Sequence, residues 1–314
     1  MARPDPAAWL AARIDDRFVL ETVNADASFR RYFRARSARG TFILMDAPPE
    51  HEDCRPFVHT AALLRDAGVH SPEVLDADLE AGFLMLEDFG DETYLDAIAE
   101  SSRIGLLYTD ALSALVRMQS IAAQVPAYDE RLLRFELSLF GDWYLIRHLG
   151  VEPPEWLHDV NDRLVEAALA QPQVFVHRDY HARNLMVVAG DNPGVLDFQD
   201  AVRGPVSYDL VSLLRDAYVE WPDAQVDAWI AEYRSLAARA GIECGPDATT
   251  FRRWFDLMGL QRQLKVAGIF ARLNHRDGKA RYLADIPRTL GYARRAAAHY
   301  PEFAPLARWL EAAC

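Results

Sequence analysis

The stretch VFVHRDYHARNLMV, Val174 to Val187, decides how this chain is read. Two apolar runs enclose His177-Arg178-Asp179, and Asn184 follows after four residues. A lone carboxylate and a lone carboxamide at that spacing admit two readings: a loop that transfers phosphoryl groups, or a polar hairpin between two strands. A second short run, Gly194-Val195-Leu196-Asp197-Phe198, lies beyond a turn containing Gly190, Asp191 and Asn192. Such a turn can lay the two runs side by side, so that side chains at their ends converge.

Phosphoryl transfer needs an acceptor that orients the attacking hydroxyl and oxygen ligands that hold Mg²⁺ against the phosphates. Mg²⁺ takes hard oxygens and keeps several waters, so one carboxylate and one amide oxygen suffice from the protein. Asp179 is the candidate catalytic base. Asn184 and Asp197 are the candidate metal ligands.

The flanking pattern gives the fold expectation. A helix is predicted over 6–16, three strands within 18–46, a helix over 53–67 stopped by Gly68, and strands over 73–77 and 82–87. Past Gly90 the periodicity turns helical, with helices predicted over 93–121, 129–149, 161–170, 209–219, 224–240, 249–273 and 287–299. The predicted class is α+β. It has two lobes: a small antiparallel sheet with a helix (1–90) and a larger helical lobe (91–314), joined tightly at 88–91.

Bulk composition narrows the function classes. The chain has 314 residues, 51% of them hydrophobic, a formal net charge of −13 and a pI near 5.1. That field repels nucleic acid. Cys54, Cys244 and Cys314 form no metal-ligand pattern, and so sparse a set suits a reducing compartment. No apolar leader and no bilayer-length run occurs, so a cytoplasmic monomer with no membrane partner is expected. The only lysines are Lys265 and Lys279; the other strong bases are Arg.

His177-Arg178-Asp179-x₄-Asn184 matches the kinase catalytic-loop pattern, and Leu196-Asp197-Phe198 matches its downstream metal-binding Asp. Together with Gly204-Pro205-Val206-Ser207-Tyr208-Asp209-Leu210, these residues resemble the aminoglycoside phosphotransferase family, a branch of the protein-kinase-like superfamily, over nearly the whole chain. The resemblance implies ATP and Mg²⁺ as cofactors. It makes Asp209 a structural residue that caps a helix or braces the catalytic loop, and gives His177 and Arg178 bracing roles; His181 is assigned to packing. Asp88-Phe89-Gly90 spells a metal-binding triplet in the wrong order, so Leu86, Glu87, Asp88 and Phe89 are read as the hinge facing the nucleotide base.

Two expected parts are missing. Kinases carry a Lys on the third strand, where this chain has Phe42-Ile43-Leu44-Met45, and Met45 is taken as the nucleotide-side residue there. In place of a Gly-rich loop stands Asn24-Ala25-Asp26-Ala27-Ser28. Arg30, Arg31 and Arg34 are the candidates to offset phosphate charge; Arg30 is chosen, sharing a strand face with Arg34. With Asp26 to Arg34, Met45 to Pro49 and Leu86 to Asp91, the chain looks like the bacterial cell-wall-recycling sugar kinases. Those phosphorylate the anomeric hydroxyl of N-acetylmuramate and N-acetylglucosamine with ATP, and the resemblance implies a sugar α-1-phosphate product.

On the acceptor side, Trp254, Met258, Gln261, Lys265 and Arg272 recur at helical spacing, either as a substrate-lining stripe or as a partly solvated helix face. Asp200 is placed to bond a sugar hydroxyl or an ammonium. Two alternatives remain open: a kinase of another small alcohol (aminoglycoside, choline or homoserine) and a catalytically silent nucleotide-binding module.

Overall fold

A computed structural model describes residues 3–14, 17–23 and 29–313. The N-terminal part is a five-stranded antiparallel sheet in the order β1-β2-β3-β5-β4. Its strands are β1 (Phe18–Val23), β2 (Arg31–Ser37), β3 (Gly40–Asp46), β4 (Val74–Asp78) and β5 (Phe83–Glu87). Side-chain alternation divides the sheet into two faces. Ala35, Leu44 and Phe83 point to one face, where Trp9 and Leu10 of helix α1 (Pro6–Ala11) cover them. Met45, Leu84 and Leu86 point to the other, against Phe57, Ala61 and Leu64 of helix α2 (Arg55–Asp66). That second core runs without a break into the helical part, so the two lobes share one apolar interior.

The helical part follows the connection 88–93. Its elements are α3 (Tyr94–Ala97), α4 (Ile104–Gln119), α5 (Glu130–Leu139), α6 (Trp156–Leu169), α7 (Tyr208–Leu214), α8 (Asp223–Arg239), α9 (Ala248–Asp277), α10 (Ile286–Ala298) and α11 (Ala304–Ala313). Between α6 and α7 lie two small ribbons. β6 (Gln173–Val176) pairs with β9 (Val202–Pro205), and β7 (Leu185–Met186) pairs with β8 (Gly194–Val195). These ribbons hold the loops on which the site is built.

Several boundaries differ from expectation for local reasons. The helix expected over 6–16 ends at Ala11; 15–16 lie outside the described residues. The helix expected over 93–121 is broken. A Thr93–Asp96 capping box starts α3, and a 3₁₀ turn at Ser101–Arg103 resets the axis before α4. The helix over 129–149 changes winding: α5 passes into a π-helix at Phe140–Leu149. Beside that junction α9 comes very close, since a Cβ on Gly268 would sit 2.3 Å from the Leu139 carbonyl carbon. The β6–β9 pairing and α11 had no clear signal in the sequence. Among the described residues no helix is long and apolar enough to cross a membrane.

Candidate active site

The quoted stretch forms β6, a loop and β7. Two buried carboxylates fix that loop from below. Asp209, at the start of α7 and fully buried, accepts the His177 N–H at 2.7 Å and the Arg178 N–H at 3.0 Å. Asp216 accepts the Ala182 N–H at 3.0 Å. The His177 ring closes the loop: its Nδ1 accepts the Asp179 N–H at 3.3 Å, so its Nε2 donates to the Leu196 carbonyl at 2.9 Å. Burial pushes this imidazole down to about 4, which keeps it neutral. Asp209, His177 and Arg178 are thus bracing residues, as the sequence suggested.

The β7–β8 pairing brings Asn184 beside Asp197. Leu196 N–H donates to the Asn184 carbonyl at 2.9 Å. The Asn184 carboxamide NH₂ donates to the Asp179 carbonyl at 2.9 Å and lies 3.4 Å from Asp197 Oδ2, which leaves its oxygen outward. Asp179, Asn184 and Asp197 therefore converge. Arg178 (φ 78°) and Asp197 (φ 63°) hold the left-handed backbone that side chains other than Gly rarely adopt. Such strain persists where surrounding bonds enforce it, and here it falls at Asp197 and at the residue before Asp179.

Charge separates the two carboxylates. Burial pushes Asp179 up, but Lys265 foremost, with Arg262 among the charges behind it, outweighs that and holds the carboxyl below its ordinary value. Asp197 keeps an open face to the cleft, yet the protein around it and the Asp179 carboxylate push its carboxyl up. The donor set, one amide oxygen and one carboxylate under repulsion from a second, fits a small hard cation with water-filled remaining positions.

Above these groups opens an interlobe cleft of about 790 Å³. Arg30, Leu86, Glu87, Asp88, Phe89, Asn184, Asp197 and Asp200 line it, with Ile43, Tyr32, Met186 and Leu196 as apolar walls. The side chains of 87–91 are braced by neighbouring groups. Asp88 pairs with Arg34 at 2.7 Å, and Arg34 also grips Asp91. Phe89 packs on the His70 ring and on Gly194, where a Cβ would come within 2.6 Å of the Phe89 ring. Glu87 meets His70 Nε2 at 3.1 Å.

Four expected site residues lie elsewhere. Met45 is fully buried against the second core, and Ile43 lines the cleft instead. Trp254 borders a separate surface pocket with Arg163, Arg253 and Glu302. Gln261 and Lys265 are buried, because α9 is enclosed on most sides. Lys265 pairs with Glu136 at 2.9 Å and donates to the Tyr208 hydroxyl at 2.8 Å. Gln261 donates to the Tyr128 hydroxyl at 3.1 Å. Glu136 also takes Arg178 at 2.6 Å, so this network lies beneath the catalytic loop. Of the phosphate candidates, Arg31 pairs with Asp46 and Arg34 with the hinge acids; Arg30 lines the cleft and meets Glu52 at 2.8 Å. The turn 24–28 lies outside the described residues.

Asn184 and Asp197 thus line a cleft between a β-sheet lobe and a helical lobe, with the Asp179 main chain tied to Asn184 behind them. The chain belongs to the phosphotransferase enzyme family (APH), whose model matches residues 19–243. It is 50% identical to an N-acetylmuramate/N-acetylglucosamine kinase of Pseudomonas aeruginosa, over 96% of this chain and 94% of that protein. It is 44% identical to the protein of the same name from Neisseria meningitidis serogroup B, over 95% and 92%. Among solved structures, choline kinase LicA from Streptococcus pneumoniae superposes with a TM-score of 0.66 at 12% identity, covering 93% of this chain and 97% of that one. ADP-bound aminoglycoside phosphotransferase APH(2'')-Ib gives 0.56 at 12% identity, covering 91% and 96%. At those identities the likeness shows the fold.

Proposed function

We propose that this protein transfers the γ-phosphoryl group of ATP to the anomeric hydroxyl of N-acetylmuramate and N-acetylglucosamine, giving the sugar α-1-phosphate in cytoplasmic peptidoglycan recycling. The observation that carries the reading is the convergence of Asp179, Asn184 and Asp197 in a chain aligned end to end with amino-sugar kinases. Residues 1–90 hold the nucleotide, residues 91–314 supply catalytic loop and acceptor, and the active unit is a monomer.

The adenine lies between Ile43 and Leu86 above and Met186 and Leu196 below, facing the hinge backbone at Asp88 and Phe89. Arg30, held by Glu52, replaces the absent strand lysine at the phosphates. Asn184 Oδ1 and the Asp197 carboxylate would hold Mg²⁺, which would offset charge on the phosphate oxygens. Asp179 accepts a hydrogen bond from the anomeric O–H and orients it for in-line attack. The new O–P bond forms as the bond to the leaving ADP oxygen breaks. The proton passes to Asp179 late, since an anomeric hydroxyl is already more acidic than an ordinary alcohol, and then to solvent. Asp200, at the cleft mouth, accepts from a sugar hydroxyl.

A ³¹P spectrum of the product tests this reading. Each of the two sugars should give a phosphomonoester coupled to the anomeric proton. Phosphate on choline or an aminoglycoside instead, or nucleotide binding without turnover of any acceptor, would overturn it.

A further inference from the structure

The cleft wall beyond Asn184 carries a cation that the reaction so far does not use. Arg183 lines the cleft next to Asn184. Its guanidinium lies 3.7 Å from the Tyr218 ring centroid and 6.0 Å from that of Tyr282. The other cleft arginines are committed: Arg30 meets Glu52, and Arg34 meets Asp88 and Asp91. Among the described residues Arg183 has no carboxylate partner. A guanidinium stacked on a ring still presents its N–H edge in plane, the geometry that grips a carboxylate through two parallel bonds.

The ring beneath it is held in place. Tyr218 N–H donates to Asp216 Oδ1 at 2.9 Å, and the other oxygen of Asp216 takes the Ala182 N–H at 3.0 Å. The stack is therefore tied to the same turn that carries Arg183. His181 meets the Tyr218 ring edge-on at 5.5 Å, and its Nδ1 is buried with no hydrogen-bond partner among the described residues. From α9, Arg262 is 4% exposed, and its Nε and Nη1 are likewise buried and unpartnered. Buried polar atoms are ordinarily satisfied. A cleft arginine with no acid of its own, lying over a ring whose edge neighbour His181 has an unpaired buried nitrogen, marks a subsite for an anionic oxygen ligand next to Asn184.

N-acetylmuramate and N-acetylglucosamine differ at O3, where the first carries a lactyl ether with a carboxylate and the second a hydroxyl. We infer that Arg183, stacked on Tyr218, binds the carboxylate of the acceptor sugar and sets the preference between the two. This subsite rests on the amino-sugar kinase reading. It is a binding site, separate from the phosphate contacts given to Arg30.

The test compares three acceptors: N-acetylmuramate, its methyl ester and N-acetylglucosamine. On the unmodified protein the free acid should exceed the ester in kcat/KM by at least about tenfold, the span expected of a charge-assisted hydrogen bond. In Arg183→Gln the acid-to-ester ratio should collapse toward one, mainly through KM for the acid, and Arg183→Lys should recover part of it. Equal kcat/KM for acid and ester on the unmodified protein overturns the subsite, and that arm needs no variant. Equal losses for acid, ester and N-acetylglucosamine in Arg183→Gln, or a rise in KM for ATP alone, also overturn it and move the guanidinium to loop support or to the phosphates. Failure of the unmodified protein to phosphorylate either sugar is a different result: it removes the sugar-kinase reading, and this subsite with it.

Discussion

Replacing Lys265 by Met separates a buried charge that acts from beneath the catalytic loop from a cation that touches substrate. The Lys265 ammonium sits 2.9 Å from Glu136 and 2.8 Å from the Tyr208 hydroxyl, and the side chains of Lys265 and Glu136 are 7% and 2% exposed. Removing one partner of a buried ion pair costs about 3–5 kcal/mol, because the other charge stays desolvated. Glu136 keeps Arg178 at 2.6 Å and the hydroxyl of Tyr128, so the low end applies, about 3 kcal/mol. At roughly 2 °C per kcal/mol for a chain of this size, the melting temperature should fall by roughly 6 °C. The second readout is chemical. Lys265 is the foremost positive charge holding the Asp179 carboxyl down, so its loss raises that pKa and moves the acid limb of kcat/KM to higher pH. Thermal unfolding followed by circular dichroism, with kcat/KM measured from about pH 3 to 8, gives both numbers. An unchanged melting temperature and acid limb, with a raised KM for the sugar, would put Lys265 in the cleft and refute the reasoning.

Gly268→Ala drives a Cβ to within 2.3 Å of the Leu139 carbonyl carbon, so α9 and the π-helical segment must separate; urea unfolding should show a loss of about 3 kcal/mol, and an unchanged midpoint would deny the close approach. Arg34→Met leaves the Asp88 carboxylate, whose side chain is 4% exposed, without its 2.7 Å partner; KM for ATP should rise several-fold along with a loss of about 3 kcal/mol, whereas unaltered nucleotide affinity would take the hinge out of the nucleotide site. Acid should destabilise the fold through His177. The unfolded chain takes up a proton near pH 6.5, while the buried ring does so only at about 4. Stability from this group is complete above pH 6.5 and falls by about 3 kcal/mol as pH drops to 4. His177→Gln should flatten that part of the profile, and identical slopes with and without the imidazole would count against it.

The placement of Asp179, Asn184 and Asp197 was more legible in the sequence than their surroundings. Asp179, Asn184 and Asp197 are set by local constraints: a fixed loop spacing, a turn, and two short strands that pair at once. The five strands were legible for a similar reason, since alternation along 31–37 and 40–46 divides residues between two faces whatever packs on them. Residues on α9 were misplaced because helical spacing gives an angle about the axis, not what lies at that angle. Helix α9 is enclosed on most sides, so the stripe Trp254–Gln261–Lys265 has no shared environment: one end borders a surface pocket, the other a buried carboxylate. Met45 was misplaced on similar grounds. It shares the cleft-side face with Ile43 but lies farther along the strand, under α2. Glu136 and Tyr218 carry no motif at all. Each gains its place only when segments far apart in the chain are folded together.

The most direct measurement is the turnover of Asp179→Asn with N-acetylmuramate, alongside its nucleotide affinity. The exchange keeps the shape of the side chain and removes the proton acceptor. Turnover should fall by at least about a hundredfold, the lower range for loss of a positioned base, while the nucleotide dissociation constant stays within about threefold, because the hinge, Asn184 and Asp197 are untouched. Turnover equal to that of the unmodified protein would contradict the assignment of Asp179 and, with it, the account of the cleft as a site of phosphoryl transfer to a sugar hydroxyl.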